Sequence, residues 1–163
     1  MCRTDLRGLR YAFSFGRVEL VNGTRELRAK DGIRAIEEAA KDPSGRIKIS
    51  FESKAENGVS LGVKITKLPA LSSGDRAIVT VAVIEDDLSS NVLAGENSGR
   101  KLNHMAVVRA LRSIGESSGD ETTLSADLTL EKNWKRDDLS VVAFVQEAQS
   151  RRVLASARIE LKH

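Results

Sequence analysis

From Arg46 to the carboxyl end, apolar residues recur at every second position. That period suits extended chain half-buried in a sheet and little else. Ile47, Ile49 and Phe51 alternate with Lys48, Ser50 and Glu52, and Val59, Leu61, Val63 and Ile65 alternate with Ser60, Gly62 and Lys64. Between these runs lies Asn57-Gly58, the dipeptide most favoured in two-residue hairpin turns. Residues 77–84 form an almost unbroken apolar run, which predicts a strand in the middle of a sheet, covered on more than one side. Alternation resumes in Leu124/Ala126/Leu128/Leu130, in residues 141–145 and in Val153/Ala155/Ala157/Ile159/Leu161. Ser72-Ser73-Gly74-Asp75 and Ser117-Ser118-Gly119-Asp120 read as turns. Residues 104–114 read two ways. Val107, Leu111 and Ile114 make a helical stripe, whereas Met105-Ala106-Val107-Val108 reads as strand; the strand is preferred because its neighbours are strands. The fold class is mostly β: an immunoglobulin-like antiparallel β-sandwich of about seven strands over residues 46–163.

Residues 1–45 follow a different pattern. The first 15 show no clean period and read as a helical remnant or a frayed, disordered end. Residues 17–21 alternate like a short strand, Asn22-Gly23 marks a tight turn, and residues 24–27 suit a return strand. Asp31 is a good N-cap for a helix over 31–41, with Ile33, Ile36 and Ala40 on one face and Lys41 in its last turn. Pro43-Ser44-Gly45 ends it. A ββα unit of this kind cannot bury its helix stripe alone. Val21, Ile33 and Ile36 are therefore expected to pack on the sandwich or on a second copy of the chain.

Charge narrows the choice of partners. The net charge is +3, but residues 1–34 hold eight Lys and Arg against four Asp and Glu, while residues 35–163 hold eighteen against nineteen. The body is thus close to neutral, and three of the six aromatics (Tyr11, Phe13 and Phe15) lie in the basic N-terminal segment. This is not the clustered basic and aromatic surface of a nucleic-acid binder. No apolar run is long enough to span a bilayer, and the first residues lead into no secretory apolar region. Protein partners or self-association remain.

The candidate chemistry is sparse. Gly58-Val59-Ser60-Leu61-Gly62 matches the G-x-S-x-G nucleophile pattern, but that chemistry needs a strand-to-helix turn, and here the serine falls on the polar face of an alternating strand. One internal histidine, His104, and one cysteine, Cys2, make neither a metal set nor a disulfide. Glu85-Asp86-Asp87 reads as a solvated loop in preference to a Ca²⁺ site. Trp134, the only tryptophan, reads as half-buried beside a loop, with an exposed ligand platform as the sharper alternative. No cofactor-binding motif occurs.

The run Ala94-Gly95-Glu96-Asn97-Ser98-Gly99-Arg100-Lys101-Leu102-Asn103-His104-Met105-Ala106-Val107-Val108-Arg109 is the most specific feature of the chain. It resembles the G-E-N-x-G-R-x-L-x-H-x-x-V-V-R segment of a family of uncharacterised secreted bacterial proteins, domain of unknown function 1223. Val21-Asn22-Gly23 and the helix after it resemble the end of that family's thioredoxin-like half, as do Tyr11-Ala12 and Phe15-Gly16. The resemblance implies a β-sandwich C-terminal half and a periplasmic or secreted setting. It also implies that residues 1–45 are the ββα remnant of a thioredoxin-like domain whose first part is lost or replaced. The family's Cys-x-x-Cys-type segment has no counterpart, and Cys2 alone cannot supply both thiols of a dithiol exchange. A proline-bearing segment of the family is missing before Val18 as well.

Within the matched run, Gly95 and Gly99 are expected to take backbone angles closed to other residues. Glu96 or Asn97 is expected to cap or bridge the loop, and Arg109 to pair with a carboxylate or lie at a sheet edge. Glu96, Asn97, Gly99, Arg100, His104 and Arg109 therefore form the candidate motif. It reads as a loop anchor, or alternatively as a polar binding cluster of His104, Arg109 and Glu96. The expected function is that of a non-enzymatic interaction or structural module. The alternatives are a fragment or subunit of a redox protein lacking its dithiol half, and a carbohydrate- or peptide-binding sandwich using Trp134.

Overall fold

The computed structural model describes the backbone of residues 12–15, 18–21 and 25–27, and the whole of residues 41–161. Strands β1 (Ala12–Phe15), β2 (Val18–Val21) and β3 (Arg25–Leu27) form a three-stranded antiparallel sheet in that order. Val21 pairs with Arg25. The sequence anticipated β2 and β3, while β1 falls where no period was legible. The helix expected over 31–41 lies outside the described residues, apart from its last residue.

Seven strands form the body: β4 (Arg46–Ala55), β5 (Gly58–Thr66), β6 (Ala77–Glu85), β9 (Val107–Ser117), β10 (Glu121–Thr129), β11 (Leu139–Glu147) and β12 (Val153–Glu160). A further pair, β7 (Leu88–Asn91) and β8 (Lys101–His104), forms a separate ribbon. One sheet has the order β10-β5-β4 and the other β12-β11-β6-β9, with every neighbour antiparallel. Their facing sides share one core. Val59, Leu61, Val63 and Ile65 of β5 meet Val79, Val81 and Val83 of β6 and Val141, Ala143 and Val145 of β11. These are the in-phase positions of the alternating runs. The 104–114 ambiguity resolves to strand.

Two details depart from the sequence reading. Ala55 pairs with Gly58, so the β4–β5 turn is Glu56-Asn57, one residue earlier than Asn57-Gly58. Gly58 instead opens β5, where an added Cβ would sit 3.3 Å from the Leu128 carbonyl oxygen. The close approach of β10 there favours a residue without a side chain. Leu154, off-phase in the alternation, is fully buried because a register shift lies opposite it, between Val145 and Gln146. Strand β6 is apolar on both faces because Ala82 and Ile84 pack with Val142 and Phe144 on the sheet's outer side.

A fully buried carboxylate closes each end of the β6–β11 pair: Glu85 opposite Leu139, and Glu147 opposite Ala77. Glu147 accepts hydrogen bonds from the Ser72 amide (2.6 Å), the Ser72 hydroxyl (2.9 Å), the Ser150 hydroxyl, and Nη2 of Arg152 (2.9 Å). Burial pushes this carboxyl up, but the bonds from Arg152, Ser150 and Ser72 outweigh it and hold the group near 2. Nearby, Asp75 accepts from the Arg76, Gln149 and Ser150 amides. The β11–β12 turn is thus tied to the 72–75 turn.

Leu61→Ala opens a void in the middle of the core and is expected to cost about 2–5 kcal/mol by urea denaturation. Glu147→Gln leaves Arg152 without its counter-charge and is expected to cost roughly 3 kcal/mol at neutral pH. Because the folded-state pKa is depressed, the Glu147 contribution is complete above its ordinary 4.5 and fades as pH falls toward about 2. Urea midpoints measured between those pH values should fall less steeply in the Gln variant than in the parent.

Candidate functional site

The family-like motif folds as an arm. Where β6 ends, the chain runs through Asp86 and Asp87 into β7, turns through residues 92–100, and returns along β8 through Met105 and Ala106 into β9. In the ribbon Leu88 pairs with His104, and Asn91 with Lys101. Both sides of its base are bent by a non-glycine residue in the left-handed region: Asp87 (φ 52) and Ala106 (φ 53). That conformation costs a residue with a side chain roughly 1–2 kcal/mol. Asp86 holds the base in place. Its Oδ1 accepts the Ala106 amide at 2.7 Å, and its Oδ2 accepts Nη2 of Arg158 at 2.6 Å.

The loop at the arm's tip is closed by main chain. Val92 N–H donates to the Arg100 carbonyl (2.9 Å) and Gly99 N–H to the Val92 carbonyl (2.9 Å). Two overlapping turns lie inside, from Gly95 to Ser98 and from Asn97 to Arg100, and the Ser98 hydroxyl donates to the Leu93 carbonyl at 3.3 Å. Gly95 (φ 87) and Gly99 (φ 80) both take the left-handed backbone anticipated for them. Glu96, Asn97 and Arg100 are exposed on this loop. The bonds that close it come from the backbone and Ser98.

The remaining motif residues lie elsewhere. His104 Nε2 is 2.8 Å from the Ser90 hydroxyl across the ribbon. Arg109 belongs to the edge strand β9, where its Nε donates to Glu85 Oε2 at 2.6 Å. The other Glu85 oxygen accepts the Lys135 amide at 3.1 Å. The His104–Arg109–Glu96 cluster allowed by the sequence is therefore not assembled: His104 and Arg109 face different partners, and Glu96 stands on the loop.

Two further readings are corrected. Glu85-Asp86-Asp87 is not a solvated loop, because Glu85 is buried against Arg109 and Asp86 is bound by Arg158. Among the described residues no group of three or more His, Cys, Asp and Glu is placed to hold a metal ion. Trp134 is not half-buried but part of the core, 8% exposed, with the Arg109 guanidinium 5.8 Å from its ring centre. It offers no platform to a ligand. Ser60 lies within β5 and donates to Asp127 Oδ1 at 2.6 Å, so the G-x-S-x-G match is a strand serine. Cys2 lies outside the described residues.

One feature escaped the sequence reading. Among the described residues, five of the six large apolar side chains that stand exposed lie between positions 93 and 111: Leu93 (91%), Leu102, Met105, Val108 and Leu111 (65%). Val108 pairs with Ile84, and Leu111 with Ala82. They share a face, although three residues apart, because a register shift at Arg109 resets the alternation. Strict alternation would put residues 108 and 111 on opposite faces, so the period alone does not reveal the pair.

Asp86→Ala removes the acceptor for the Ala106 amide and the partner of Arg158. Amide exchange over residues 88–106 is expected to accelerate by about tenfold or more, consistent with the loss of a charged hydrogen bond worth roughly 1.5–3 kcal/mol. Protection in β5 and β11 should be unchanged. Hydrogen-exchange mass spectrometry reads both.

Comparison with solved structures finds β-rich neighbours. HBP35 of Porphyromonas gingivalis matches with a TM-score of 0.55 at 13% identity, over 78% of this chain and 44% of that one. This chain therefore spans less than half the length of that neighbour. A domain of the outer membrane lipoprotein Omp28 from Porphyromonas gingivalis matches with a TM-score of 0.48 at 16% identity, over 72% of this chain and 88% of that one. At such identity the HBP35 likeness is one of fold. No curated protein matches. No helix among the described residues is long and apolar enough to cross a membrane. The model of the DUF1223 family, proteins of unknown function, matches residues 17–146, which take in the whole arm and most of the sandwich, and the chain belongs to that family.

Proposed function

We propose that this chain is a non-enzymatic interaction module: an immunoglobulin-like sandwich that holds out the 88–106 arm to a protein partner. The immunoglobulin-like reading is supported by the strand orders β10-β5-β4 and β12-β11-β6-β9, with hairpins at both ends of the chain path and crossings between sheets in the middle. The observation that carries the functional reading is the concentration of exposed apolar side chains on the arm and the strand that continues it. Exposed apolar patches of this kind mark interaction sites. A loop held in one shape by its own backbone bonds adds to this, since it loses little freedom on binding.

The absence of a catalytic role rests on the available groups. The Ser90–His104 pair sits on an exposed ribbon, and among the described residues no hydrogen bond orients the other ring nitrogen. An activated serine needs that third group. Both fully buried carboxylates are already engaged by arginine.

Site-specific photo-crosslinking in the native host tests the reading. A photoreactive residue at Leu93 or Met105 is expected to give discrete protein adducts, while one at Lys48, on the outer side of the other sheet, gives none. The Leu93 adducts should disappear when Leu102 is changed to Asp. No adduct from either arm position, or equal adducts from Lys48, would overturn the proposal.

A further inference from the structure

The four-stranded sheet is buried on the side that faces away from the core. Across that side Arg158, Val142, Ala82 and Leu111 stand opposite one another in one row, and Ser156, Phe144, Thr80 and Ser113 in the next. Ser140, Val142, Ala82 and Ile84 are each exposed by 6% or less. The β10-β5-β4 sheet does not cover them, because it packs on the opposite side. The two edges of the sheet differ. On β9, Val108 and Leu111 stand exposed, whereas on β12 Ser156 and Arg158 are half-buried. Arg158 covers the Ser140 end, where its Nη2 donates to the Ser140 hydroxyl at 3.0 Å and to Asp86. None of Phe144, Ser156 and Glu160 on this side lacks an interaction partner. Apolar residues on a sheet face are buried by a second layer. The burial places that layer toward β12 and stops it short of β9.

The chain enters the sandwich beside that same edge. The Gly45 amide donates to the Leu154 carbonyl at 2.9 Å, and a Cβ added to Gly45 would lie 3.4 Å from that of Ala155. The next residue of β12, Ser156, pairs with Phe144. Residues 41–44 are exposed. Four residues reach at most about 14 Å. That is enough to pass over β12 to Phe144, since neighbouring strands lie ~4.8 Å apart. Before them come residues 28–40, where the sequence predicts a helix with Ile33, Ile36 and Ala40 on one face and Glu37 and Glu38 on the other. A helix over 31–41 would measure about 16 Å. The buried stretch of β11 from Phe144 to Ser140 measures about 14 Å. Stripe and face thus match in length and in apolar character. A second copy is the poorer occupant, because Val142, Ala82 and Ile84 are buried within a single chain.

We infer that the outer face of the β12-β11-β6-β9 sheet is the docking surface for this chain's own segment 28–40, with Ile33, Ile36 and Ala40 laid over Phe144, Val142, Ala82 and Ile84. This goes beyond the interaction-module reading and does not rest on it. The test uses the full chain with Cys2→Ser, which removes its only cysteine. Ile36→Cys combined with Ser156→Cys is expected to form a disulfide within one chain on mild oxidation, read by mass spectrometry and a non-reducing gel. Ile36→Cys combined with Lys48→Cys, on the outer side of the other sheet, is expected to form none. In a second measurement, maleimide labels Val142→Cys. Labelling is expected to accelerate by about tenfold or more when Ile33→Asp and Ile36→Asp are added, and to stay unchanged with Glu37→Lys and Glu38→Lys. Trp134 emission reports that the sandwich remains folded in each variant.

No disulfide from the Ser156→Cys pair would overturn the inference, as would equal yield from the Lys48→Cys pair. Disulfides formed only between chains would also overturn it and assign the face to a second copy. So would labelling of Val142→Cys that ignores the Ile33 and Ile36 changes. Should the two aspartates unfold the sandwich, the disulfide experiment decides alone, because it leaves Ile33 and the sheet face intact.

Discussion

The buried Glu85–Arg109 ion pair sits at the one point where the pairing of β9 with β6 slips beside the arm, and the faces of both strands turn on that point. Burying a carboxylate at 1% exposure is costly without partners; Arg109 supplies one at 2.6 Å and the Lys135 amide satisfies the other oxygen. Arg109 meets it from a point on β9 where the pairing with β6 slips by one residue. That slip carries Val108 and Leu111 to the same side of the sheet. The buried pair and the shared face of Val108 and Leu111 thus meet at one local departure from regular pairing. The same guanidinium also lies over Trp134, linking the closed end of the core to the base of the arm.

The opposite end is closed by different means to the same effect. Glu147 gathers two serines and an arginine around itself, and Asp75 gathers backbone amides. A core made almost wholly of valine, leucine, isoleucine and alanine has few side chains long enough to seal its own ends. Here carboxylates do so, each held by hydrogen bonds numerous enough to offset its burial.

Much of the body was legible because burial imposes a period on the sequence. Leu61, Val63 and Ile65 could be assigned to the core from spacing alone, and residues 77–84 to a central strand from the lack of a polar face. The misreadings share a cause, in that each lies where pairing between distant segments decides the outcome. The turn at Glu56-Asn57, the burial of Leu154 and the reset at Arg109 all depend on a strand the local sequence does not contain. Trp134 sits beside polar neighbours in sequence and beneath Arg109 in space. Of the candidate motif, the two loop glycines were legible from residue type, because few other residues take their backbone angles. The partners of His104 and Arg109 were not, because cross-strand neighbours leave no mark on spacing. That Val108 and Leu111 share a face was not legible, because the reset between them lies in the pairing with β6.

The paired kinks at Asp87 and Ala106 separate two growth directions in one molecule. Beyond them the ribbon could gain or lose matched rungs without shifting a single inward-facing side chain of the sandwich. Before them, the sandwich could be re-engineered without re-aiming what it holds out. A chain built this way can change what it touches at its tip while keeping the same foundation.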